Sequence, residues 1–520
     1  MKYNILYLHC HDAGRYIEPY GHAIPTPHLQ RLAEGGVLFR NAFAAAPTCS
    51  PSRAALLTGQ SPHNAGMLGL AHRGWLMRDY REHLVHDLKD AGYTTVLCGV
   101  QHIIDYRTQR AHRRIGYDKV LQPSRRHRPV SSPKTLWSRG VRRLSRIART
   151  RRLARPKAQV RAQAQFRDLV RSLRSEPGAG LNLRAREIGS QTVARVAARH
   201  DRRMAYAAAH WLRSSAAAEA PFFLSVGFLM PHRPFTPAQP DLHPAEQPRR
   251  LQPPVPLPDV RAVRRDLANY IATVRTMDTS CGIVLDALAA AGLEDNTLVI
   301  ATTDHGIAFP GMKCTLTDHG LGVYLILRGP GGFTGGRVID SMVSHLDVYP
   351  TICELLELTP PPRLQGTSLV PLVNGEATEI HDALFGEITY HATYEPLRSI
   401  RTSRWKYIRR FDNPSHNLTR PVLANIDDGG SKRYLLDHGL AKRDLPRESL
   451  FDLLLDPNET RNLVGNAKHQ EVRQDLAARL QAWMEETADP LLQGPVGGPP
   501  RPPVTYLTRP PRSPFVEPKL

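Results

Sequence analysis

The sequence predicts an α/β protein: a large, mixed but mostly parallel sheet sandwiched by helices, followed by a smaller α+β domain. Three observations carry this. Strand-like apolar runs alternate with segments of helical spacing through the first half, the rhythm of βαβ units. The chain has 520 residues, enough for a sheet-centred domain plus a second, smaller one. After a Pro-rich boundary at Thr359–Pro362 and a turn at Asn374-Gly375, the pattern changes to short strands with one amphipathic helix.

The elements follow in order. Ile5–Leu8 is a short apolar strand. Thr26-Pro27 opens a helix, with Thr as N-cap and Pro in the first turn, and Leu29, Leu32 and Ala33 form its apolar face. Ser52–Leu57 reads as a helix start behind a loop. Leu84, Leu88 and Ala91 make a helical stripe closed by Gly92, and β-branched Thr94–Cys98 is the next strand. The pattern resumes with a helix near Thr192–Leu212, a strand at Phe222–Phe228 and a Pro-rich loop from Pro231 to Pro258. A long helix over Arg264–Ala291 precedes strands at Leu298–Thr302 and Val323–Leu327. These elements give a first domain over 1–375. A second, over 376–490, holds strands at Trp405–Arg409 and Leu450–Leu453 and a helix at Val472–Glu485. Residues 491–520, with GPVGGPPRPP, form a Pro-rich tail that cannot bury a core.

Composition narrows the classes further. Hydrophobic residues are 41% and charged residues 22%, which excludes wholesale disorder, collagen and coiled coil. The formal charge is +21, but 123–175 alone holds 17 Lys/Arg against one acid, Asp168. The charge therefore describes one basic insertion rather than the main domain. The six cysteines form no C-x-x-C pair, so a zinc knuckle or redox motif has no support. No stretch approaches the length of an apolar membrane span, and no signal-peptide pattern opens the sequence, so a cytoplasmic protein without membrane contact is expected.

Chemistry-bearing residues gather in a few motifs. Cys49-Ser50-Pro51-Ser52-Arg53 leads into Leu57-Thr58-Gly59. Pro51 suits a helix first turn. A nucleophile at 49 then feels free N–H groups and the positive end of the helix dipole, with Arg53 one turn in. The same position is expected to activate a bare thiol. His11-Asp12-Ala13-Gly14 and Asp304-His305-Gly306 each lie just past a strand, where open α/β sheets place their sites.

Together these motifs resemble the sulfatase family, whose signature is C-x-P-S-R-x-x-x-L-T-G. The resemblance covers about 4–485 apart from the basic insertion, and implies an alkaline-phosphatase-like sulfatase fold. TPHLQRLAEGGVLFRNAF, HNAGMLGL, PFFLSVGFLMPHR and LFDLLLDPNETRNLV look most like its heparan N-sulfatase (sulfamidase) and arylsulfatase branch. It implies that Cys49 is oxidised to formylglycine by a formylglycine-generating enzyme. It also implies a divalent metal held by Asp12, the modified Cys49, Asp304 and His305, with His11 either joining them or standing outside the ligand set. Calcium is the family's usual ion, with manganese or magnesium as alternatives. His11 stands where the family has an Asp, and a nitrogen donor shifts preference away from calcium. Val100 stands where the family has a Lys, in Gly99-Val100-Gln101-His102.

The family mechanism maps Arg53 and Lys313 to charge neutralisation, His232 in Pro231-His232-Arg233-Pro234 to general acid, and His102 to proton acceptor. The implied substrate is a sulfated small molecule or glycan, as ester or sulfamate. One alternative is a phosphonate monoester or phosphodiester hydrolase of the same superfamily. The other is a degenerate fold binding anions or nucleic acid through 123–175. For that segment a solvated face or an oligomer contact is the plainer expectation, and nucleic acid is not an expected partner of the enzyme.

Overall fold

The computed structural model describes residues 2–105, 111–122, 181–214, 217, 220–235, 247–412 and 419–499. The basic segment 123–175 and residues 500–520 of the Pro-rich tail lie outside the described residues, as does part of the loop after Pro231.

Eight strands form the main sheet in the order β4-β3-β5-β1-β6-β7-β2-β8. They are β1 (Asn4–Cys10), β2 (Val37–Phe43), β3 (Thr94–Gly99), β4 (Lys119–Leu121), β5 (Phe222–Gly227), β6 (Thr297–Thr303), β7 (Leu325–Arg328) and β8 (Arg337–Ser344). Among the described strands of this sheet, β7 alone runs antiparallel to both of its neighbours. Both faces are covered. In β1, Leu6, Leu8 and Cys10 pack with one buried cluster and Ile5 and Tyr7 with the other, which is why the strand reads as an unbroken apolar run. Helices α1 (Pro27–Gly35), α3 (Leu181–Leu212) and α4 (Arg261–Ala290) flank the sheet, and α2 (Cys49–Thr58) is buried along its whole length.

One expectation is corrected here. Thr26 occupies the N-cap of α1, but its side chain does not cap it. Its Oγ1 accepts from the Glu18 N–H, while the Asp278 carboxylate of α4 accepts from His28 N and Leu29 N at 3.2 and 2.9 Å. The cap is thus tertiary, and it docks α1 on α4.

A separate antiparallel sheet follows, ordered β12-β11-β10-β9: β9 (Leu384–Tyr390), β10 (Tyr394–Arg401), β11 (Trp405–Arg410) and β12 (Glu448–Asp452). One buried cluster joins it to Leu476, Leu480 and Met484 of α5 (Gln470–Glu486). Another joins it to Phe43, Leu316, Leu321 and Met342 of the larger sheet's layer. The strands at Val37, Lys119, Arg337, Leu384 and Tyr394 were not expected.

Between the two layers lies a buried ionic network. Arg398, fully buried, donates to both Asp489 oxygens at 2.5 and 2.9 Å and lies 3.2 Å from Glu387. Glu387 accepts from the backbone and ring of His63, each at 2.7 Å, which ties the segment after α2 to β9. Removing the cation leaves two buried carboxylates short of a partner. Arg398→Met is therefore expected to cost about 3–5 kcal/mol in denaturant unfolding. Adding Glu387→Gln should recover part of that loss. A single variant within about 0.5 kcal/mol of the parent would show that the network does not hold the layers together.

Candidate active site

Four parallel neighbours end in register. Gly99 aligns with Gly227, Gly227 with His9, and Cys10 with Thr303. The loops leaving β3, β5, β1 and β6 therefore converge at one edge of the sheet. Gly227 is required there, because a Cβ would meet the Val100 carbonyl at 2.1 Å and the His9 ring at 2.5 Å. Onto this edge α2 points its N-terminus, starting at Cys49 rather than Ser52, with Thr48 as extended N-cap.

Asp304, just past β6, organises the cluster. Its Oδ1 accepts from Asp12 N at 2.9 Å, and its Oδ2 accepts from Arg53 Nη2 at 3.0 Å and lies 3.1 Å from His11 Nδ1. Ser52 Oγ donates to the Asp304 backbone carbonyl at 2.5 Å. Arg53 also donates to the Cys10 carbonyl at 2.7 Å and meets His9 Nδ1 at 2.5 Å. Both Nη nitrogens are thus engaged by the protein, and Arg53 serves first to fix Asp304. Burial opposes ionisation of Asp304, but His305, Arg53 and His11 outweigh it and hold its carboxyl well below the usual range.

Around this hub the expected residues come together. His305 Nδ1 bonds the Gly306 carbonyl, leaving Nε2 3.3 Å from Cys49 Sγ, 3.3 Å from Asp12 Oδ1 and 3.6 Å from Asp304 Oδ1. One donor atom each from His11, Asp12, Cys49 and Asp304 lies within 4.8 Å of all the others. Lys313 donates to Asp12 Oδ2 at 3.1 Å. His102 Nε2 lies 3.1 Å from His72 Nδ1, and its Nδ1 is buried without a partner. His232 holds the Arg233 carbonyl at 2.6 Å through Nδ1, and its Nε2 sits 3.9 Å from Asp12 Oδ2. At 37% side-chain exposure it stands at the solvent side of the group.

Several residues had no signal in the sequence. Asp427, from the segment before Gly430–Asp437, lies 3.0 Å from Lys313 Nζ, which it shares with Asp12. His391, in the turn after β9, is buried and electrostatically coupled to both Lys313 and Asp427. His9 and His72 back Arg53 and His102, and His345 lies 3.0 Å from Thr302 Oγ1 behind Ser52. Asp427 sits in NIDDGG, which reads as an ordinary polar turn.

The electrostatics have a direction. Burial lowers the pKa values of His9, His102, His305 and His391, and brings that of His11 down to about 4, so all five rings are neutral near pH 7. Among the described residues, the Lys and Arg cations paired with Asp12, Asp304 and Asp427 are Arg53 and Lys313. That leaves one negative charge in excess. Asp12 Oδ1 and His11 Nε2 are buried without hydrogen-bond partners. A divalent cation fits this donor set: it supplies the missing charge and takes the free lone pairs. Burial pushes the Cys49 thiol well above its ordinary value despite Lys313, which counts against activation of a bare thiol at this helix N-terminus.

Comparisons with known proteins bear on this geometry. A family model described as sulfatase matches residues 4–358, and one described as N-sulphoglucosamine sulphohydrolase, C-terminal, matches residues 312–418. The chain is 27% identical to the Homo sapiens N-sulphoglucosamine sulphohydrolase, over 95% of this chain and 92% of that protein. It is 30% identical to the Mus musculus steryl-sulfatase, over 88% of this chain and 78% of that protein. Its fold is similar to the crystal structure of the phosphonate monoester hydrolase of Agrobacterium radiobacter. That match has 22% identity and a TM-score of 0.60, and covers 95% of this chain and 97% of the other.

The Arg53 fork generates a prediction. An ammonium cannot span His9, Cys10 and Asp304 at once. Arg53→Lys is expected to lose about 2–3 kcal/mol of unfolding free energy, the worth of a charged hydrogen bond, while keeping the charge. A loss under about 0.5 kcal/mol would mean that charge, not the fork, holds Asp304.

Proposed function

This chain belongs to the sulfatase family and is a sulfuric ester hydrolase; we propose that it cleaves a sulfate ester or sulfamate using oxidised Cys49 as nucleophile and a divalent metal. The observation that carries this reading is residue 49 at the N-terminus of a buried helix, with His11, Asp12 and Asp304 within 4.8 Å. Membership of an enzyme family sets aside the expectation of a non-enzymatic binder.

His11, Asp12, Asp304, His305 and the oxidised side chain at 49 would hold the metal. When bound, the cation supplies positive charge that favours ionisation of the nucleophile and screens the sulfate. Calcium is the first expectation, with manganese or magnesium as alternatives. Oxidation by a formylglycine-generating enzyme replaces a thiol that burial keeps protonated with a carbonyl whose hydrate offers a hydroxyl for attack on sulfur. Lys313 is buried and kept charged by Asp12 and Asp427, which outweigh desolvation, so it adds a fixed cation beside the sulfate. His232, 37% exposed by side chain with Nε2 3.9 Å from Asp12 Oδ2, stands at the solvent side of the group, and it is the general acid for the oxygen or nitrogen released. His102 is neutral and has a free Nδ1, so it accepts the proton when sulfate is expelled.

The substrate is a sulfated small molecule or glycan. The match to an N-sulphoglucosamine sulphohydrolase model over 312–418 supports an N-sulfated sugar among the candidates. Val100, in place of the family's Lys, favours keeping a phosphonate monoester or phosphodiester as a second reading. Rates on a sulfate ester and a phosphodiester with the same leaving group separate the two. A faster phosphodiester reaction would overturn the sulfatase reading.

Two variants test the machinery. Cys49→Ala is expected to stay folded and lose at least about a thousandfold in kcat. The parent, co-expressed with a formylglycine-generating enzyme, should acquire a hydrazide-reactive aldehyde on the Cys49 peptide. Near-parent turnover by the alanine variant would remove the nucleophile assignment. His11→Asp adds an oxygen donor and a negative charge. It should raise calcium affinity relative to manganese, read by metal competition and calorimetry. An unchanged calcium-to-manganese ratio would place His11 outside the metal's ligands.

A further inference from the structure

We propose that the chain with an unoxidised Cys49 has a soft-metal site, in which Cys49, His11 and His102 hold a zinc-class ion. One donor atom from each lies within 4.8 Å of the other two. A tetrahedral site with two nitrogen donors and one sulfur, Zn–S near 2.3 Å and Zn–N near 2.0 Å, has donors roughly 3.3–3.6 Å apart, so small side-chain rotations close it.

The donors are free to do this. His11 is 2% exposed, and with Nδ1 held 3.1 Å from Asp304 Oδ2 its Nε2 has no hydrogen-bond partner among the described residues; His102 Nδ1 is also buried and unpartnered there. The two rings lie 5.4 Å apart, centroid to centroid. His102 meets His72 through Nε2, the outer contact that orients a ligating imidazole and leaves its other nitrogen for a metal. His102 also holds φ 57, a left-handed conformation that is uncommon for a non-glycine residue.

This site differs from the one proposed for catalysis. Two imidazoles and a thiolate select zinc-class ions, whereas the Asp12 and Asp304 oxygens suit harder ones. The two sites share His11 and position 49, so they exclude each other. While residue 49 carries sulfur, the soft set is complete; once oxidation removes the sulfur, only the harder set remains. On binding, the Cys49 S–H bond breaks, its proton passes to solvent and an S–metal bond forms, with no oxidant involved. A fourth position stays open to water. Zinc bound in this way occupies the sulfur that oxidation must reach.

The test uses full-length protein made without a formylglycine-generating enzyme, its thiol verified by intact mass. Cobalt(II), zinc's spectroscopic stand-in, is expected to give a near-ultraviolet thiolate-to-cobalt charge-transfer band that zinc displaces. Cys49→Ser should abolish the band. His102→Ala should weaken cobalt binding at least about tenfold, while Asp12→Asn leaves it within about threefold. If the alanine variant does not fold, His102→Gln takes its place. No band in the thiol form would overturn the proposal. So would a band that tolerates loss of His102 but not of Asp12, because the sulfur would then belong to the harder set. No turnover is read, so failure here leaves the hydrolase reading intact, and failure of that reading leaves this result intact.

Discussion

Asp304 accepts from Arg53 and from the Asp12 backbone while lying 3.1 Å from His11, so one buried carboxylate joins the ends of β1 and β6 to the start of α2. A buried ion pair of this kind brings little net stability, because desolvation offsets its attraction. What it fixes is position. Arg53 cannot leave without stranding Asp304, and Asp304 cannot leave without freeing the Asp12 N–H. Residue 12 sits at φ 49, and Cys314, next to Lys313, at φ 65. Such backbone strain persists only where neighbours over-determine it, and here the Asp12-to-Asp304 bond supplies that constraint.

The same geometry sets the charge of the site. With its imidazoles neutral, the cluster holds three carboxylates and two cations. A site in that state repels a sulfate monoanion. The two positive charges of a divalent cation would reverse that sign. Metal loading and anion binding are thus linked by arithmetic, and His11 belongs to that arithmetic. A carboxylate in its place would leave the loaded site neutral rather than positive.

Much of this was legible in the sequence because it is local. β1, β3, β5, β6 and α4 are apolar runs or long periodic stretches, and the site motifs fall directly after strands, where parallel topology must bring them together. The unread parts are non-local. β2 carries Arg40 and Asn41 at a register irregularity, and β8 begins exposed at the sheet edge, so neither shows a clean period. β9 and β10 hide Glu387 and Arg398, charged residues that look like surface until Asp489, far along the chain, closes the pair. Thr26 looked like a self-sufficient cap because the competing carboxylate, Asp278, is some 250 residues away.

Lys313 shows how the smaller sheet's layer enters the chemistry. Its ammonium is buried between Asp12, fixed by the main sheet, and Asp427, which comes from beyond β11. Two carboxylates keep it charged against desolvation but also divide its attraction, so its pull on any further anion depends on where Asp427 stands. Asp427 is 22% exposed by side chain, unlike Asp12, and Arg233 links its neighbourhood back to the His232 loop through Asp266 and Ser431. A group entering from solvent meets His232 and Asp427 before it meets the buried hub. The buried hub is thus built from main-sheet residues, while its solvent-side rim draws Asp427 from beyond β11, so the two layers meet at the rim.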